Sequence, residues 1–118
     1  MALQTRMVTF DCADPANLAS FWAAATGLRE SWRHANDFLI LGESPGLCLG
    51  FQHVPEAKTV KNRVHLDWSS DGDVAAEIER LLELGARVVD RQKMPQGFGW
   101  TVLADPEGNE FCVATPAA

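Results

Sequence analysis

Four residues with chemical potential fall as two pairs, each spaced by two: His65 and Asp67 in "VHLD", and Glu110 and Cys112 in "DPEGNEFCV". In a strand that spacing places both members of a pair on one face. A carboxylate partly withdrawn from water at Glu110 would have a raised pKa and could act as a general base or accept a hydrogen bond. Cys112 could act as a nucleophile if His65 lay beside it to take its proton, whereas as a small apolar filler it needs no partner. His65 can equally be read as a polar side chain bonded to Asp67 or to a backbone carbonyl.

These residues must be positioned by strands and helices. Two helices are marked clearly. Asp14 suits an N-cap and Pro15 the first helical position; Leu18, Phe21, Trp22 and Ala25 then recur at helical spacing and Gly27 ends the run. The second helix starts after Asp73, carries Val74, Ile78, Leu81 and Leu82 on one side, and stops at Gly85. Similar strands precede them, "VTFD" from Val8 and "VHLD" from Val64, and "LGESPG" from Leu41 resembles "LADPEG" from Leu103. With a further short strand after each helix, around Leu28 to Trp32 and Arg87 to Arg91, the order βαβββ occurs twice. The expected fold is therefore α+β: two βαβββ modules, at about 5–54 and 63–115 with a linker at 55–62, whose curved mixed sheets wrap a cavity.

Alternation then predicts which side chains line that cavity. From the first module these are Met7, Thr9 and Asp11, with Cys48, Gly50 and Gln52; from the second, His65 and Asp67, with Glu110, Cys112 and Ala114. Trp22 and Trp68 fall on helix-facing positions. Trp32 and Trp100 lie near strand ends, where an indole can wall a pocket, and "MPQGFGW" from Met94 reads as a mobile rim or a plain hairpin loop. A cavity with aromatic walls and few charges suits a planar apolar or amphipathic small molecule.

The 118 residues carry a formal net charge of -6, and the Lys and Arg residues are scattered. That argues against nucleic acid as a partner, since phosphate binding needs a basic stripe. The first residues lack the apolar core of a signal peptide, and no apolar run reaches membrane-spanning length, so the expectation is a cytoplasmic protein with no membrane partner. Cys12, Cys48 and Cys112 show no CxxC spacing and sit among apolar neighbours, as reduced thiols do.

Taken together, the doubled βαβββ pattern, "DPANLASFWAAATGL", "VHLD" with "IERLLELGA", and the closing "DPEGNEFCV" resemble the small glyoxalase-like domains of the glyoxalase/bleomycin resistance/dioxygenase group, the vicinal oxygen chelate superfamily. The resemblance covers nearly the whole chain. It implies the fold above and a homodimer, but no one reaction, because the group holds metal-dependent enzymes beside metal-free drug-binding proteins. Its metal-dependent members place a His or Gln in the first strand of each module and a Glu in the last, around a divalent ion. Here those positions fall on Met7 (or Thr9), His65, a residue near Gly50, and Cys112. The resemblance thus implies a small-molecule-binding protein with a degenerate metal site and no cofactor. A shifted divalent-metal set of His65, Glu110 and Gln52, serving a lyase or dioxygenase-type enzyme, is the alternative. A metal-free acid/base enzyme using Glu110 or His65 is another. Met7, Thr9, Gln52, Asp67, Trp100 and Cys112 are the expected ligand-binding residues.

Overall fold

A computed structural model describes residues 2–70, 72–93 and 99–114. The chain divides into two units, Met1–Ala57 and Lys58–Ala118. Among the described residues each unit holds four strands and one helix in the order βαβββ: β1 (Val8–Cys12), α1 (Pro15–Thr26), β2 (Glu30–His34), β3 (Phe38–Leu41) and β4 (Leu49–His53), then β5 (Leu66–Ser69), α2 (Val74–Leu84), β6 (Arg87–Lys93), β7 (Gly99–Ala104) and β8 (Glu110–Ala114). Both sheets are mixed, with orders β1-β4-β3-β2 and β5-β8-β7-β6. In each, the first strand runs parallel to the last and the others are antiparallel. The expected α+β fold of two βαβββ modules is the one observed.

The helices form where their boundary residues satisfy free backbone groups. The Asp14 side chain accepts from the Asn17 amide, and Gly27 closes α1 in the left-handed region at φ 78°. Asp73 accepts from the Ala75 and Ala76 amides at the start of α2. In the first unit α1 packs on β3 and β4, burying Leu18, Phe21 and Trp22 against Leu39, Leu49 and Phe51. Phe10 stacks on both Trp22 and Phe51, with ring centroids 5.6 Å and 5.3 Å apart. In the second unit α2 contributes Ile78 and Leu81 to a core with Leu103, Phe111 and Val113.

The register differs from expectation at one strand start. Val64, the first residue of the "VHLD" run read as a strand, lies outside the strand and is 78% exposed, because β5 begins only at Leu66, opposite Phe111. The reason lies across the ladder: the Glu110 amide donates to the Asn62 side-chain oxygen at 3.0 Å, so a side chain takes the place of a further β5 carbonyl. The "MPQGFGW" stretch lies, up to Phe98, outside the described residues.

The turn "DPEGN" is organised by one carboxylate. Asp105 is 1% exposed, and its Oδ1 accepts from the amides of Glu107 and Asn109, both at 3.0 Å. The Asn109 side-chain amide adds a contact to Oδ2 at 3.0 Å. Gly108, at φ 89°, lets the chain reverse, and its amide donates to the Asp105 carbonyl. Removing the carboxylate strands part-buried donors, so Asp105→Ala is expected to lose about 1 to 3 kcal/mol of stability. A urea midpoint unchanged from that of the parent protein would contradict this role.

Candidate functional site

Each sheet has one face covered by its own helix and one free of it. In the first unit the ladder sets Thr9, Gly50, Ile40 and Trp32 in one row and Asp11, Gln52, Phe38 and His34 in the next, all on the helix-free face. Outside β2, exposure follows the same alternation: Thr9, Asp11 and Gln52 are exposed, while Leu39, Leu41, Leu49 and Phe51 on the other face are buried; in β2 every residue, Trp32 and His34 included, is exposed. Trp32 packs beside His34 and Phe38, with centroids 6.2 Å and 6.0 Å away, giving an aromatic shelf at the sheet edge. On the second unit's helix-free face, Asp67, Cys112, Val102 and Asp90 form one row, and Ser69, Ala114 and Trp100 belong to the next.

The two ladders fix how the modules correspond. Thr9 pairs with Gly50 as Asp67 pairs with Cys112, which makes Met7 the counterpart of His65, each just ahead of its strand. A Cβ at Gly50 would sit 2.8 Å from the Thr9 hydroxyl and 3.0 Å from the Met7 sulfur, so a side chain there would require both of those side chains to move aside. The first unit therefore fills with a thioether and a hydroxyl the place where a carboxylate would have to stand.

In the second unit His65, Asp67 and Cys112 come together, their ligand-capable atoms all within 4.8 Å of one another. His65 Nε2 lies 3.3 Å from Asp67 Oδ1, and both side chains are well exposed. Cys112 is buried and donates its S–H to Asp67; burial first, then that hydrogen bond, pushes its thiol up to about 11. It is a protonated thiol near neutral pH, not an activated nucleophile.

Glu110 does not have the raised pKa of a general base. Lys61 Nζ sits 2.9 Å from its Oε1, and this charge-assisted bond holds the carboxyl below its usual range. Sequence reasoning missed Lys61 because it belongs to the segment read as an exposed linker. Of the shifted set, His65 joins the cluster with Asp67 and Cys112, Glu110 is committed to Lys61, and Gln52 lies exposed in the first unit. Among the described residues, a hard ion that prefers oxygen ligands finds no matching set in either unit. A separate open cleft of about 390 Å³, lined by Lys58, Arg87, Pro106, Glu107 and Gly108, shares no residue with this cluster.

Two outcomes follow. Because the folded pKa of Glu110 is depressed, the Lys61 pair contributes stability above the ordinary carboxylate range and loses it as pH falls through the lowered value. Lys61→Met should thus reduce stability at neutral pH by at most about 1 kcal/mol and change nothing in strong acid; an equal loss at both, in thermal unfolding, would deny the pair its charge dependence. With the thiol at about 11, only about one Cys112 in a thousand is thiolate at pH 8. Iodoacetamide should therefore alkylate Cys48 before Cys112, and Asp67→Asn should speed Cys112, as read by peptide mass spectrometry.

The glyoxalase-like domain family matches residues 7–114 of the chain. No curated protein sequence matches it. Among solved structures, a glyoxalase/bleomycin resistance protein/dioxygenase family enzyme from Burkholderia phytofirmans PsJN is similar at 20% identity and TM-score 0.75, over 92% of this chain and 94% of that one. A mutant of the genomically encoded fosfomycin resistance protein of Listeria monocytogenes, complexed with Mn(II) and 1S,2S-dihydroxypropylphosphonic acid, reaches TM-score 0.81 at 15% identity, over 96% and 90%. A lactoylglutathione lyase from Agrobacterium tumefaciens reaches 0.69 at 14% identity, over 96% and 94%. At these identities the likeness concerns the fold. The match along residues 7–114 makes the chain a member of the glyoxalase-like domain family, and its fold is that of these solved structures.

Proposed function

We propose that this protein binds a small, planar organic molecule on its helix-free sheet surfaces and does so without the hard divalent ion of its metal-dependent relatives. One observation carries the reading. At the two positions where the family pattern would set a carboxylate, this chain has Gly50, overlaid by the Met7 sulfur and the Thr9 hydroxyl, and the protonated thiol of Cys112. Manganese(II), the ion in the Listeria fosfomycin resistance protein structure, is a hard cation that neither position serves.

The surface that remains suits contact with an aromatic ring. In the first unit Met7, Thr9 and Gln52 stand with the Trp32 shelf; in the second, Asp67, Cys112 and Trp100 occupy the corresponding face. The carboxylates of Asp11 and Asp67 are acceptors and favour a ligand that carries hydrogen-bond donors, while Gln52 can accept or donate. The commitment of Glu110 to Lys61 weighs against the acid/base alternative and against the shifted ligand set. The reading includes a homodimer, as the resemblance to small members of the group implies, and the cytoplasmic location expected from the sequence. Among the described residues no helix is long and apolar enough to cross a membrane.

The test uses the full chain. After incubation with manganese(II) and desalting, elemental analysis is expected to find no stoichiometric ion. A panel of planar aromatic amines and phenols should include members that quench tryptophan fluorescence saturably, and Trp32→Ala should weaken them by about 1 kcal/mol, roughly fivefold. One retained manganese per chain would overturn the metal-free reading. A panel without any saturable quencher would overturn the planar-ligand reading.

A further inference from the structure

We infer that the open cleft of the second unit, where Lys58, Thr59, Arg87 and Glu107 meet the Pro106–Gly108 turn, binds a phosphate group whose carrier also offers an O–H donor. The cleft shares no residue with the His65, Asp67 and Cys112 cluster, and the inference does not rest on the organic-ligand reading. Its volume of about 390 Å³ falls within the range of small-molecule sites. Two cations line it from different parts of the chain, Lys58 from the segment ahead of β5 and Arg87 from the first residue of β6. Among the described residues neither joins an ion pair, whereas Arg33, Lys61 and Arg80 are each committed to a glutamate. Lys58 is held in place on the turn: its Nζ donates to the Val60 carbonyl, and its Cδ lies 3.8 Å from where a Gly108 Cβ would stand. The ammonium keeps two further protons to offer a ligand, and the Thr59 hydroxyl can add another.

Side chains, not the turn's backbone, choose the ligand. Pro106 has no amide proton, and the amides of Glu107 and Gly108 are already committed to Asp105. Two cations and a hydroxyl suit an oxyanion with several acceptor oxygens, and the fork of a guanidinium matches the edge of a phosphate. The Glu107 carboxylate in the same cleft adds a second requirement: it repels a bare oxyanion and accepts from a ligand that brings an O–H. Near neutral pH inorganic phosphate keeps a proton to donate, and a hydroxylated phosphate ester supplies one from its carbon chain. Sulfate, of nearly the same size and shape, has none. The cleft therefore separates two tetrahedral anions by the hydrogen bond that only one of them can make to Glu107.

Amide NMR of the full-length chain reads the site directly. Inorganic phosphate, glycerol phosphate and sulfate are titrated in turn at constant ionic strength, with chloride as the balancing anion. The amide signals of Thr59, Val60, Glu107 and Gly108 should move saturably, in the millimolar range, with at least one of the two phosphate compounds. Tighter binding of inorganic phosphate would identify the free anion as the ligand, and tighter binding of glycerol phosphate an organic phosphate. Sulfate should bind more weakly than either by about tenfold. Lys58→Gln and Arg87→Gln alter exposed side chains and should leave the fold intact while each weakens the phosphate compound by about tenfold. Glu107→Gln, whose amide can donate where the carboxylate could only accept, should bring sulfate close to phosphate. Shifts that do not saturate, equal affinity of the parent chain for sulfate and phosphate, or affinity unchanged in both Lys58→Gln and Arg87→Gln would each overturn the site.

Discussion

The buried carboxylate of Asp105 governs the second unit. Within five residues it gathers two backbone amides and the Asn109 side chain, so the chain can leave β7, reverse through Gly108 and enter β8 in a single register. That register decides what faces what. Phe111 and Val113 are committed to the core under α2, and Cys112 is thereby set opposite Asp67. A slip of one residue would exchange those faces, burying Glu110 and exposing Phe111. The chemistry of the site therefore depends on a turn that takes no part in it.

The two units show how one topology accommodates different surfaces. Both keep the βαβββ order and the parallel pairing of first and last strands, because each has one apolar helix stripe to bury against one sheet face. The other face carries no such obligation. In the first unit it holds a glycine overlaid by a thioether, beside an aromatic shelf; in the second it holds a histidine, an aspartate and a thiol. The two units differ where packing does not constrain them.

Much of this was legible in the sequence. The spacing of Leu18, Phe21 and Trp22 and the glycines at 27 and 85 gave helices with their observed ends, and the paired motifs gave the doubled module. Alternation alone put Asp67 and Cys112 on one face, because both strands are regular there. What the sequence could not convey was local competition between partners. Lys61 lies 49 residues from Glu110 and holds its pKa below the usual range, so no periodicity reveals the pair. The Asn62 side chain shortens β5 by capping the first amide of β8, which a hydrophobic pattern at Val64 misrepresents. The choice between Met7 and Thr9 as counterpart of His65 likewise needed the ladder.

The outer strand of the first sheet carries one more implication. β2 is exposed along its whole length, shifts register between Glu30 and Trp32, and bears the Glu30–Arg33 ion pair at 2.7 Å. An irregular, charged margin is a poor template for another backbone, since an incoming strand would meet a broken row of amides and carbonyls beside fixed charges. Growth of this sheet by strand addition is accordingly discouraged, and the aromatic side chains of the same strand can remain open to solvent without turning the edge into a seed for aggregation.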